Sequence, residues 1–210
     1  MKREWVWEQR KKITLLGVVN GLSTEIGLIA SALQKHRPDA IGISINASEI
    51  EALRNWKGEA AEEVSEFDLF YIRQLSRFGE VTLPSPSHLY VVQFSQASGI
   101  PLIPLDMDEE EYTELYMKLV SPYSLFFDAL FRGRRYRKRL TGDLDEVVLQ
   151  IDRIAQHPQG IARLDRAREE RIASNIGRCF ENYSNVLVVV DLERMEGVLS
   201  ALKSMGISLQ

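Results

Sequence analysis

Ile13–Asn46, ITLLGVVNGLSTEIGLIASALQKHRPDAIGISIN, is the unit around which the chain is organised. Ile13–Val19 is an apolar run of strand length, broken by Asn20-Gly21. Ser23 and Thr24 are both competent N-caps, and Glu25 places a carboxylate where a helix N-terminus favours one. Ile26, Ile29 and Leu33 follow at i, i+3 and i+7, one helical face. Lys35-His36-Arg37 close the helix and Pro38 stops it. Ala40–Ile45 is a second strand, with Ile41, Ile43 and Ile45 on one face and Ala40, Gly42 and Ser44 on the other. The small face admits a close neighbour, and tight packing is the plain reading of Gly42. The stretch is a βαβ unit. In open α/β sheets ligands bind beyond the carboxyl ends of the strands, which points to the loops Val18–Ser23 and Ser44–Ser48.

Before this unit, Glu4–Glu8 alternates in strand fashion, either as a hairpin with Ile13–Val19 or as an arm with aromatic anchors. Helices are expected over Ala47–Trp56, over Glu59–Phe78 with Gly79 as its C′ residue, and over His88–Ala97 closed by Gly99. IPLIPLD, residues 100–106, is a short strand that Pro101 and Pro104 confine to an edge. The next helix runs from Asp108 to about Val120, with Tyr112, Leu115, Tyr116 and Leu119 as its apolar stripe. Ser121-Pro122 starts another, aromatic at first and then strongly basic. Leu144–Gln156 and Ile161–Tyr183 follow, the latter striped by Leu164, Ile172, Ile176 and Phe180. Asn185–Asp191 is a continuous apolar strand, the pattern of a parallel strand buried on both faces. Met195–Met205 ends the series before Gly206. The expected fold class is α/β, a mostly parallel central sheet flanked by helices with a helical middle section. We expect one domain over residues 1–210, with a helical insertion at about 109–160.

The 210 residues are 45% hydrophobic and 27% charged, ordinary for a globular protein. A net charge of −4 gives no general attraction to nucleic acid or membrane. No apolar run reaches bilayer length, and MKREWVWEQRKK lacks the apolar core of a signal peptide, so a cytoplasmic location is expected. Cys179 is the only cysteine, which excludes an intrachain disulfide and a multi-cysteine metal site. Arg178 beside it could lower its pKa, but a buried structural thiol is the plainer role. Val18–Ser23 is neither a Walker loop nor a dinucleotide fingerprint, and no G-x-S-x-G elbow is present.

Three stretches carry a family resemblance: the opening unit with Gly17-Val18-Val19-Asn20 and HRPDAIGISIN, then GIPLIPLDMD, then REERIASNIGRCFENYSNVLVVVDLERMEGVLSAL. In this order they resemble the TraB / PrgY / GumN group, part of a wider superfamily with Tiki-type metalloproteases, erythromycin esterase and ChaN. The resemblance implies a TraB / ChaN-like sheet. In metal-dependent members, histidines follow the first and last strands and an acidic residue ends the second. Asn20, Arg194 and Ser44 stand at those positions here. An amide is a weak ligand and a guanidinium repels cations, so the scaffold lacks its metal-binding side chains. His36 lies at the wrong end of its helix, His157 precedes a proline in a turn, and His88 is far in sequence from both loops; all three are expected to be plain core or surface residues.

The candidate ligand-binding set is therefore Asn20, Ser44, Asn46, Asp106, Asp191, Glu193 and Arg194, with Asp108 nearby and no metal assigned. A hard cation held by Asp106, Asp191 and Glu193 is the one cofactor left open. Asp106 and Asp191 have helix capping as their plain role. With guanidinium in place of imidazole, the pocket is expected to prefer anions. Three functions result. The first is an altered, non-catalytic TraB-like protein binding a small molecule, peptide or protein at the strand ends. The second is a peptide or ester hydrolase with a rebuilt acidic site. The third is a nucleic-acid-associated protein using Arg132, Arg134, Arg135, Arg137, Lys138 and Arg139, a run whose plainer reading is a solvated or internally paired helix end. Tyr123–Phe131 has more apolar residues than one helical face needs, which suggests a homo-oligomer contact; no membrane partner is expected.

Overall fold

The structure is a computed structural model that describes residues 2–58 and 64–209. Its central strand is β5, Asn185–Asp191. β5 pairs in parallel with β2, Lys12–Val18, on one side and with β3, Ala40–Ile43, on the other. This strand has neighbours at both edges and helices over both faces, and Val186, Leu187, Val188, Val189 and Val190 are all fully buried. β4, Leu102–Pro104, lies parallel at one edge, where the missing N–H of Pro104 costs no ladder bond. β1, Glu4–Glu8, pairs antiparallel with β2, so the hairpin forms. Arg3 fastens it, donating to Glu25 at 2.9 Å and pairing with Asp145.

Each face of the sheet buries a separate cluster. Leu16, Val18, Ile41, Ile43, Leu187 and Val189 pack against α1 (Glu25–His36), α2 (Ala47–Asn55) and α4 (Pro86–Ser98). Ile13, Leu15, Val186, Val188 and Val190 pack against α8 (Gln159–Asn182) and α9 (Met195–Ser204). Side chains of this size contribute about 1.5–3 kcal/mol each when fully buried. Between β4 and α8 come α5 (Glu109–Leu119), α6 (Pro122–Tyr136) and α7 (Leu144–Ala155), the helical middle section.

A third cluster lies beyond the strand carboxyl ends. Val19 and Leu192, which follow β2 and β5, join Leu22, Val147 and Ile151 of α7, and Phe70 and Leu75 of α3 (Glu66–Leu75). This apolar roof decides what the rim can do.

Several local expectations need correction. Neither Ser23 nor Thr24 caps α1 through its side chain; Thr24 is already helical. Glu25 instead turns inward and accepts the Val19 N–H at 3.1 Å. The helix expected from Glu59 begins at Glu66, behind a capping box of Ser65 and Asp68; residues 59–63 lie outside the described residues. It ends at Leu75, so Gly79 is not its C′ residue. The second strand stops at Ile43, although Ile45 still joins the core. A Cβ on Gly42 would come within 2.7 Å of Leu105 Cδ1, so packing accounts for that glycine. The expected stripe of α5 includes no buried residue. On α8, Leu164, Ile172 and Ile176 are buried as expected, and the Phe180 side chain lies outside what is described.

Candidate functional site

The rim brings part of the expected set together and commits it internally. Ser44, just past β3, donates to Asp191 Oδ2 at 3.3 Å and accepts the Asp191 N–H at 3.1 Å. His88 Nε2 lies 3.1 Å from Asp191 Oδ1. This contact joins residues far apart in sequence. The helix of His88 leads into β4 and starts at the strand carboxyl ends, which delivers the ring to the rim. Burial alone would lower the His88 pKa, but the charge and hydrogen bond of Asp191 outweigh it and hold the ring above its usual value. The same pairing holds Asp191 below the usual carboxylate range despite its burial. Asp191 therefore does not cap the helical turn at Leu192–Arg194, which has no side-chain cap. Ser44 is spent on Asp191, so these three do not form a nucleophilic Ser-His-Asp relay.

Asp106 is likewise not a helix cap. It accepts the Met107 N–H at 2.8 Å and pairs with Arg168 of α8, whose Nε is 3.0 Å away. Asp108 is the cap of α5, and Asn46 caps α2 in a capping box with Glu49. Asn46 and Asp106 share an open hollow of about 480 Å³ with Tyr112 and Arg168.

Arg194 is buried and surrounded by carboxylates: Asp152, Asp165 at 3.1 Å and Glu169 at 3.4 Å. Three carboxylates thus share one guanidinium. Beside them lies a second hollow of about 550 Å³ between α7, α8 and α9, lined by Asp152, Glu169, Glu170, Glu193 and Glu196, with Arg166 as its lining cation. Burial, opposed by Arg194 and reinforced by Asp165 and Asp152, raises Glu169 to about 7. Burial and then the charge of Asp191 raise Glu193 to about 7. Asp152 is also raised by burial.

Two acceptors at the rim have no partner among the described residues. Glu193 Oε2 and Asn20 Oδ1 are buried without a hydrogen bond. They follow adjacent parallel strands at the same offset, because Val18 is in register with Asp191. Tyr71 donates to the Asn20 backbone carbonyl at 2.8 Å, and burial followed by the charge of Glu193 pushes its hydroxyl well above its usual value.

Among the described residues, no group of three or more His, Cys, Asp or Glu side chains is arranged to hold a metal ion. Asp106, Asp191 and Glu193 thus do not gather into the oxygen cage left open above. The basic run divides. Arg132 and Arg135 turn back onto Asp128, whereas Arg134, Arg137, Lys138 and Arg139 are exposed. Cys179 is buried and its thiol is pushed up, not down. No helix among the described residues is long and apolar enough to cross a membrane.

The sheet and its rim define an α/β protein with a mostly parallel five-stranded sheet, roofed over β2 and β5 and open at two flanking hollows. No family model matches the sequence, and no curated protein matches it. Among solved structures it is similar to one titled "Erythromycin esterase mutant EreC H289N in its open conformation", with 12% identity and a TM-score of 0.36. The match covers 82% of this chain and 58% of that one, so the chain spans less than two thirds of that neighbour.

Proposed function

We propose that this chain is a TraB-like binding protein without catalytic activity, and that its acidic hollow between α7, α8 and α9 takes the amine or guanidinium group of a small ligand or peptide. The observation that carries this is the buried, unpartnered Oε2 of Glu193 in a residue that lines the hollow. A buried acceptor without a donor is costly, and an N–H-bearing cation supplies both the donor and the countercharge. Asn20 Oδ1 is a second such acceptor. Ser44, Asp106, Asp191 and Arg194 serve as the frame, each held by an internal partner. Calorimetric titration with spermidine and arginine amide, against phosphate and glutamate, tests the reading. Cations should bind, with affinity weakening at least tenfold in Glu193→Gln. Tighter binding of the anions, or cation binding that Glu193→Gln leaves unchanged, refutes it.

The His88–Asp191 pair favours a second reading, an ester or peptide hydrolase in which a histidine held by a carboxylate acts as general base. Wild-type turnover on an ester and peptide panel, abolished in His88→Gln, would support it. Turnover that survives His88→Gln, or none at all, counts against it.

A further inference from the structure

Helix α6 is inside out. Tyr123, Phe126, Phe127, Leu130 and Phe131 recur at i, i+3, i+4, i+7 and i+8, a single helical stripe. All five are exposed, between 59% and 79%. The opposite face carries Asp128, Arg132 and Tyr136, which turn toward the protein: Arg132 and Arg135 pair with Asp128, and Tyr136 stacks on Phe70 at 4.8 Å. No residue of the helix is buried. Five side chains of this size at such exposure leave roughly 500 Å² of apolar surface, toward the upper end for a monomer.

Charge indicates what covers it. Arg134 continues the line of the stripe by one turn, and Arg137, Lys138 and Arg139 follow; all four are exposed, and none is in an ion pair among the described residues. A second copy packed α6 against α6 offers no matching acidity. Packed parallel, the two basic ends would face each other. Packed antiparallel, each would meet the partner's Tyr123 end, where α5 closes with Lys118. A surface that is apolar inside and negative outside suits both halves. We propose that α6 is an interfacial helix that lays its aromatic stripe into an anionic lipid surface, with Arg134, Arg137, Lys138 and Arg139 at the headgroups. The overall charge of −4 hides this, because, Asp128 apart, the acidic residues lie on other elements. The helix has 15 residues and lies in the interface without crossing it.

Co-sedimentation of the full chain with phosphatidylcholine vesicles, with and without phosphatidylglycerol, tests the proposal. Binding should be at least tenfold stronger to the anionic vesicles and weaken with salt. Phe126→Ser with Phe127→Ser should abolish it, and Arg134→Gln with Arg137→Gln, Lys138→Gln and Arg139→Gln should remove the preference for anionic lipid. These positions are exposed, so unchanged circular dichroism melts verify the fold. A Phe126→Trp probe should be quenched by brominated lipid. Equal binding to both vesicle types, binding to neither, or binding indifferent to the phenylalanine changes overturns the proposal. So does a dimer in analytical ultracentrifugation that the same serine changes dissociate while vesicles stay unbound. Binding of RNA or DNA through the arginines, with vesicles unbound, also overturns it.

Discussion

Glu193→Gln should stabilise the protein, and only at higher pH. Burial, followed by the neighbouring Asp191 charge, raises this carboxyl from 4.5 to about 7. Below pH 4.5 it is protonated in both the folded and the unfolded chain, so the substitution changes little there. Between pH 4.5 and 7 the unfolded chain has released its proton and the folded one still holds it. Wild-type stability therefore falls across that window and levels off above it. Each tenfold change in proton affinity corresponds to about 1.4 kcal/mol, which sets a ceiling of roughly 3 kcal/mol, with about 2 kcal/mol expected after the surroundings relax. Glutamine keeps the shape and never ionises. Urea titrations of both proteins at pH 4.5, 6, 7 and 8 read the effect as a difference, so groups common to both, Glu169 included, cancel. The gap should open from near zero at pH 4.5 to about 2 kcal/mol in favour of the variant at pH 8. A gap that does not grow with pH, or a variant less stable at pH 8, refutes the account of Glu193 as a buried carboxyl whose Oε2 has no donor.

Arg194→Met should cost about 3–5 kcal/mol in urea denaturation, because it strips the shared cation from Asp152, Asp165 and Glu169; an equal or greater stability would contradict this. The His88 ring should titrate above its usual value by NMR, and the stability it contributes, complete below pH 6.5, should be lost as pH rises through that folded value. His88→Asn should remove that pH-dependent contribution. Gly160→Ala should lower the melting temperature through a loss of at least about 2 kcal/mol, because its Cβ would lie 2.4 Å from the Leu119 carbonyl oxygen and backbone cannot yield as a side-chain tip can.

The sheet was legible because its strands obey simple patterns: a run of valines for a central strand, prolines for an edge, alternation for a hairpin. The strand-end residues Asn20, Ser44, Asp191 and Arg194 were legible for the same reason, since strand ends follow from strands. Their partners were not. Asp152, Asp165, Arg168, Glu169 and His88 come from helices, and no spacing in the chain ties them to the loops they meet. One signal was present. A helix that leads into a parallel strand starts at the carboxyl rim, so the first turns of the helices before β4 and β5 were bound to face the site. Applying that rule to SPSH at 85–88 and to RLDRAREE at 163–170 picks out His88, Asp165, Arg168 and Glu169. The roof of Phe70, Leu75 and Ile151 was hidden by the same limit: apolar stripes show that a helix face is buried, not against what.

The position of β5 bears on how the molecule assembles. It fills the centre of the sheet, yet it is the last of the five strands to be made, and its register begins with Lys12 against Asn185. At cellular synthesis rates its arrival lags β2 by roughly ten seconds or more. Until then β2 and β3 each present a bare, apolar edge that any passing strand can pair with. Contacts so distant along the chain also slow the search itself. The nascent protein therefore spends its youth as two unjoined halves. Its yield in the cell should depend on chaperones that shield those edges until Val186–Val190 closes the gap between them.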